Sequence, residues 1–176
     1  MSVRAAGVAL LRHLVAIAVL PFTVAVVVPM WIARRYDVAP APGHVPGEVG
    51  LQLLGVALLA VGLALFVASL RRFASEGKGT LAPWDPPRRL VVRGPYRYVR
   101  NPMISGVIFV LCAEALILLS APHAMWAAVV FAINAIYIPL LEEPMLEERF
   151  GDDYREYCRH VGRLLPRVRP WQGPRS

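Results

Sequence analysis

Two short stretches carry residue types able to grip a small charged molecule: RGPYRYVRNPM at 93–103 and LEEPMLEERFG at 141–151. In the first, Pro102 suits the opening turn of a helix, where its missing N–H costs nothing, and Asn101 is a favoured cap residue just before it. The free N–H groups of such a turn make a site for a ligand carboxylate. The plainer reading is that Asn101 and Pro102 only start a helix, while Arg93, Arg97 and Arg100 touch lipid phosphates. In the second stretch, Glu142 and Glu143 stand at the end of an apolar helix, where the helix dipole disfavours negative charge. They call for a cation: either arginines of the preceding loop, in a structural ion pair, or a cationic ligand such as an amine or a sulfonium.

Other candidate chemistry is sparse. Glu114 and Asn134 fall inside apolar runs, and an ionisable group there raises the question of function. By helical rise Glu114 lies roughly 20 Å beyond Asn101, and Asn134 roughly 12 Å from Glu142. A protonated, hydrogen-bonded Glu114 is the structural alternative. His13, His44, His123 and His160 are scattered, and no Cys/His spacing of a metal site occurs, so no metal is expected. Cys112 and Cys158 fall in different segments and are not expected to pair.

These stretches are positioned by helices that cross a bilayer. The chain is 57% apolar with mean hydropathy +0.51, above the roughly 45–50% of globular proteins. About 20 apolar residues of helix cross a bilayer core. Four stretches qualify: Val8 to Ala33, Gly50 to Leu70, Met103 to Leu119 and Ala124 to Leu141. Only Ser120 to His123 separates the last two, which therefore form a hairpin and bring both motifs to one side. The first run is too long for a signal peptide and lacks an A-x-A site before Arg34, so it reads as a retained helix.

Of 19 Lys and Arg residues, eight lie between the second and third helices and seven after the fourth. Two fall at the start of the chain, two in the loop from Arg34 to Glu48, and none in the turn at Ser120 to His123. Positive charge gathers on the cytoplasmic side, so both termini and the segment from Arg71 to Asn101 are expected there. A sequence pI near 10.1 then reflects attraction to anionic headgroups, not nucleic-acid binding.

Segment 34–49 holds three prolines and two glycines and reads as an external loop. In the second helix Ala60, Ala64 and Ala68, with Gly55 and Gly62 nearby, invite close approach of a neighbour. Trp84, Tyr96 and Tyr98 suit the headgroup level. After the fourth helix, Leu146, Phe150, Tyr154, Tyr157 and Val161 fall on one stripe of an amphipathic helix lying along the cytoplasmic face. The fold expected is an all-α polytopic membrane bundle of about four transmembrane helices, with a C-terminal hairpin and an amphipathic cytoplasmic helix. Residues 1–70 form the two N-terminal helices, and 71–176 the working region.

GTLAPWDPPRRLVVRGPYRYVRNPMISG, followed one hairpin later by EEPMLEERFGDDYREYCRHVGRLLP, resembles the isoprenylcysteine carboxyl methyltransferase family and its bacterial relatives. The likeness covers about the last hundred residues, and the pairing of GPYRYVRNP with EE…FGxxYxxY is far more specific than either part. It implies a methyltransferase that binds S-adenosylmethionine in a pocket of the cytoplasmic segments and takes a lipophilic or lipid substrate from the bilayer. Carried over by position, Arg88, Arg89, Leu90 and Val91 line the cofactor pocket with Tyr96, then Asn101, Pro102, Met103 and Ile104, and finally Glu142 and Glu143. Asn101 and Glu142 carry the catalytic positions.

Members that act on prenylated proteins usually read His-Pro-x-Tyr where this chain has Asn101-Pro102-Met103-Ile104. Isoleucine has no hydroxyl to offer, so another small hydrophobic acceptor is at least as well suited. Whether it presents a carboxylate, thiol or amine is open. The rivals are a phospholipid N-methyltransferase and, from another class, a non-catalytic scaffold or small-molecule carrier in which Glu114 and Asn134 mark a path. Eighteen Arg against the single Lys78 fits a GC-rich coding sequence and a bacterial inner membrane.

Overall fold

The structure, a computed structural model, describes residues 18–39, 43, 45–72, 90 and 92–173. Arg88, Arg89 and Val91 of the expected pocket, Trp84, and the start of the first helix lie outside the described residues. A π-helical stretch, Ala18–Val27, runs into α1 (Val28–Arg35). Then follow α2 (Pro46–Arg72), a 3-10 turn at Gly94–Arg97, α3 (Pro102–Ile117) and α4 (Ala121–Tyr137). A second π-helical stretch, Ile138–Glu142, leads into α5 (Glu143–His160). No strand occurs among the described residues.

The helices are those expected, with two changes of extent. Pro46 opens α2 earlier than the loop reading of 34–49 allowed, as suits a proline at a first helical position. The fourth helix does not stop at Leu141: residues Ala121–His160 run on as 40 helical residues. Gly151 kinks this run with φ 56 and ψ −131, a conformation that favours glycine.

Helix α2 and the Ala121–His160 helix are long and apolar enough to cross a membrane. Their outward faces suit an apolar solvent. Leu53, Val56, Leu63 and Val67 of α2, with Met125, Phe131, Ile133 and Ile136 of α4, are exposed large apolar side chains. In water, patches of that size would be a liability. The apolar stretch from Ala121 to Leu141 is roughly 30 Å long, the thickness of a bilayer core.

Helix α3 is shorter but shares the same slab, because it lies antiparallel along α2. A Cβ on Gly55 would sit 2.8 Å from Ile117 Cγ1, and one on Gly62 would sit 2.8 Å from the Gly106 carbonyl oxygen. A Cβ on Gly106 would sit 2.7 Å from the Gly62 carbonyl oxygen. The seam therefore runs through Gly55, Gly62 and Ser69, which are buried, whereas Ala60, Ala64 and Ala68 are exposed. This corrects the alanine pattern read from sequence. Steps of seven residues return to nearly one face of a helix, and glycine lets backbones approach more closely than alanine.

The opposite end of the bundle is closed by proline chemistry. In the π register the Val24 carbonyl would take an N–H from Pro29, which has none, and Trp126 Nε1 donates to it instead at 3.0 Å. His123 Nε2 lies 3.2 Å from the Pro29 carbonyl oxygen, and its Nδ1 lies 2.8 Å from Ser120 Oγ. Backbone polar groups in an apolar slab need such partners.

Gly106→Val forces a side chain into a backbone contact that cannot give. We expect it to lower the thermal midpoint of the detergent-solubilised protein, at a cost of about 2 kcal/mol or more. Gly50→Ala, where a Cβ would meet nothing within 4 Å, should leave the midpoint unchanged or raise it, since alanine is the better helix former by about 1 kcal/mol.

Candidate functional site

At the arginine-rich end of the bundle, three segments converge: the chain from Gly94 into α3, the junction of α4 with α5, and the strap from Val161 to Trp171 that follows α5. Gly94 adopts φ 58 beside the Arg72 side chain, a place and a conformation suited to glycine. The 3-10 turn that it opens buries Tyr96. Tyr157 on α5 donates its hydroxyl proton to the Tyr96 carbonyl at 2.6 Å.

The strap holds the start of α3 by its backbone. Arg100 N donates to the Gly162 carbonyl at 2.8 Å, and Asn101 N donates to that of Arg163 at 3.2 Å. Ser105, buried in the first turn of α3, donates its hydroxyl to the Leu164 carbonyl at 2.7 Å. Asn101 occupies the N-cap position but makes no side-chain cap; its amide reaches the Arg163 carbonyl at 3.5 Å. The first-turn N–H groups at Met103 and Ile104 are thus left uncapped by Asn101, as a carboxylate-binding turn requires.

Pro139 has no N–H for the helical ladder, and the helix widens to the π form over Ile138–Glu142. The widening sets the bearing of the next two residues, and their surroundings differ sharply. Glu143 is gripped on both oxygens by Arg163, at 2.7 Å from Nε and 2.8 Å from Nη2. Arg100 Nη1 adds a contact at 2.9 Å. Hydrogen bonding from Arg163 is the main reason that the Glu143 carboxyl is held below the usual glutamate range.

Glu142 has no such grip: among the described residues no hydrogen bond or ion pair ends on its carboxylate. Burial first, and then the adjacent Glu143 charge, push its pKa up to about 7, against the pull of Arg100. Two neighbours are also unsatisfied. Tyr96 Oη and Arg100 Nε are buried with no hydrogen-bond partner among the described residues. Burial, followed by the Glu142 charge, pushes the Tyr96 phenol up. Buried polar atoms without partners are uncommon in folded proteins and each asks for an explanation. Here they collect around one unpaired carboxylate, as a polar ligand would need.

The hairpin therefore brings Tyr96, Asn101, Pro102, Met103, Ile104, Glu142 and Glu143 to one end of the molecule. Leu90 packs instead on the aromatic cluster of Tyr154, Tyr157 and Val161, with Val92 and Trp171. That cluster also takes up the apolar stripe of α5, which faces protein and not lipid. The two polar residues of the apolar runs stand apart. Asn134 donates to the Val130 carbonyl of its own helix at 2.8 Å, and Glu114 Oε2 is buried without a partner.

Sequence reasoning missed Arg163, which follows Glu143 by twenty positions and belongs to no local pattern. It also missed the contact from Arg100 Nη1 to Cys158 Sγ, 2.7 Å apart. Of the two partners weighed for the glutamate pair, the arginine takes Glu143 and leaves Glu142 open.

Over 78 residues the chain is 38% identical to methanethiol S-methyltransferase of Pseudomonas deceptionensis, covering 42% of this chain and 27% of the relative. Over 74 residues it is 38% identical to methanethiol S-methyltransferase 1 of Bradyrhizobium diazoefficiens, covering 40% of this chain and 24% of that relative. The matched stretch is about a quarter of the length of each relative. The sequence profile of the phospholipid methyltransferase family matches residues 51–153, from α2 through the glutamate pair and into α5, and the chain belongs to that family.

Proposed function

We propose that the chain is a membrane methyltransferase that binds S-adenosylmethionine between the start of α3 and Glu142, on the cytoplasmic face of a bacterial inner membrane. The observation that carries this reading is the half-buried Glu142 carboxylate, left unpaired among the described residues beside a glutamate that two arginines hold. In this reading both termini are cytoplasmic and four helices cross the bilayer. Bound there, S-adenosylmethionine would supply a methyl group activated by its sulfonium.

The residues present suit such a molecule. Glu142 would offset its positive charge, and the uncapped N–H groups of Met103 and Ile104 would suit its carboxylate. Tyr96 and Arg100 offer a hydroxyl and an N–H that no described residue satisfies. Arg88, Arg89, Leu90 and Val91 belong to the same proposal through the family resemblance alone. Asn101 acts by fixing the start of α3 against the strap. What the chain contributes to the reaction is alignment of donor and acceptor and exclusion of water.

For the acceptor we favour a small lipophilic thiol. The two relatives are named for a thiol substrate, and Ile104 brings an apolar side chain to the first turn of α3. A thiolate needs no general base, which fits a site whose one titrating carboxylate is assigned to the donor. The second reading, an aminophospholipid acceptor, has in its favour the family's description.

Three outcomes test this. Glu142→Gln should fold as the wild type does and weaken S-adenosylmethionine binding, read by calorimetry, by about tenfold or more, the worth of a charge-assisted hydrogen bond. Glu143→Gln should instead lower the thermal midpoint, by about 2 kcal/mol, because it strands Arg100 and Arg163. Equal affinity in wild type and Glu142→Gln would remove Glu142 from the site.

The pH dependence has a definite sign. Burial keeps Glu142 protonated from the ordinary glutamate value up to about 7, and only the ionised form attracts a cation. Donor affinity should therefore rise as pH passes upward through about 7, with Glu143, Arg100 and Tyr96 the charged or titratable neighbours. The rise should vanish in Glu142→Gln. Finally, membranes incubated with methyl-deuterated cofactor and an alkanethiol should yield deuterated thioether by mass spectrometry. Label in phospholipid headgroups, with none in thioether, would favour the second reading.

A further inference from the structure

The strap after α5 does not lie flat on the end of the bundle. Two contacts between other helices mark depth along it. Gly94 faces the side chain of Arg72, where α2 leaves its apolar run. Gly106 faces Phe66, since its Cβ would meet Phe66 N at 3.0 Å, and Phe66 is roughly 7 Å deeper along α2 than Arg71. The strap crosses both levels. It is bonded at Gly162 and Arg163 to Arg100 and Asn101 and at Leu164 to Ser105, the neighbour of Gly106. It then returns, with Arg167 N donating to the Tyr98 carbonyl and Trp171 N to that of Arg97, both at 2.9 Å.

The chain therefore dips about one helical turn past the arginine level and comes back, and its tip reads Leu164-Leu165-Pro166. Leu165 is 77% exposed at that depth, and Val168 is 96% exposed on the way out. Scattered exposed apolar residues mean little on a surface in water. These two instead stand on a turn bonded to the start of α3, at the end of the bundle where the apolar runs stop, and exposed Arg167 and Arg169 flank Val168.

We infer that the 164–169 turn is a re-entrant anchor seated in the cytoplasmic leaflet of the protein's own bilayer, with Leu165 among the acyl chains and Arg167 and Arg169 on anionic headgroups. The partner is the lipid surface, argued from depth, from the exposure of Leu165 and Val168 and from charge complementarity. The inference rests on the bilayer placement above but not on methyl transfer. It has a consequence for the site, because Arg163, at the mouth of the same turn, grips Glu143. The membrane thereby holds one wall of the pocket in place.

The test places a tryptophan at the tip. Full-length Leu165→Trp is reconstituted in vesicles, and its emission in excess of wild type is followed. The added fluorescence should be lost to lipids brominated near the ester end of the acyl chains and unaffected by aqueous iodide. The loss should be greater in phosphatidylglycerol vesicles than in phosphatidylcholine alone. Val168→Trp should behave in the same way at shallower depth, and guards against a local effect at one position. Quenching by iodide, or shielding from both quenchers as under a protein partner, would overturn the proposal. Equal loss in the two vesicle types would overturn its electrostatic part. Neither probe reads cofactor or product, so failure of the methyltransferase reading would leave the result standing.

Discussion

Two carboxylates stand side by side where an apolar helix leaves its slab, and the arrangement of this end of the molecule follows from how they are separated. Like charges at adjacent positions cannot both ionise without cost, and the helix end gives neither of them help. Arg163 and Arg100 resolve the conflict by taking Glu143, which becomes the ionised member. Glu142 is then left half-buried, with no partner among the described residues, and rests between its two protonation states near neutral pH. The clamp joins the start of α3, the head of α5 and the strap. Removing one member of such a pair costs more than the pair contributes, since the remaining charge is stranded.

The clamp can close only because the helices arrive in register. Glycines on α2 and α3 let two backbones come within contact of each other's carbonyls, so that α3, too short to stand as a confident span by itself, occupies the same slab as α2. A three-residue turn at Leu118–Ser120, with Leu119 at φ 49, returns the chain as α4. Prolines then decide where the α-helical ladder fails. The carbonyl in register with Pro29 is taken by Trp126, while at Pro139 the helix widens immediately before the glutamate pair. A widened turn next to a polar site is a recurrent device for turning side chains without ending a helix.

Much of this was legible in residue order. Apolar runs of the right length, arginines gathered between and after them and a separation of only four residues between two runs are local quantities, weighed against the thickness of a bilayer and the rise of a helix. They imposed the all-helical class, the hairpin and the placement of both motifs at one end. The family was legible too, because GPYRYVRNP and EE…FGxxYxxY pair two local patterns at a set distance. Where local reading failed, it did so for alanines spaced at four residues, which looked like a packing face. Glycines and a serine at seven formed the face instead, since what matters there is how near the opposing backbone comes.

What sequence by itself determined, then, is which segments form apolar helices, which end carries the charge, and which residue types gather there. Tertiary structure alone decided which of two adjacent glutamates is paired and which is open, because Arg163 comes from twenty residues away along a strap with no periodic signal. It likewise decided that the apolar stripe of α5 packs on Trp171 and Val92, while Leu165 and Val168 of the strap stay exposed. Periodicity shows that a face is apolar; only the folded chain shows whether protein or lipid covers it.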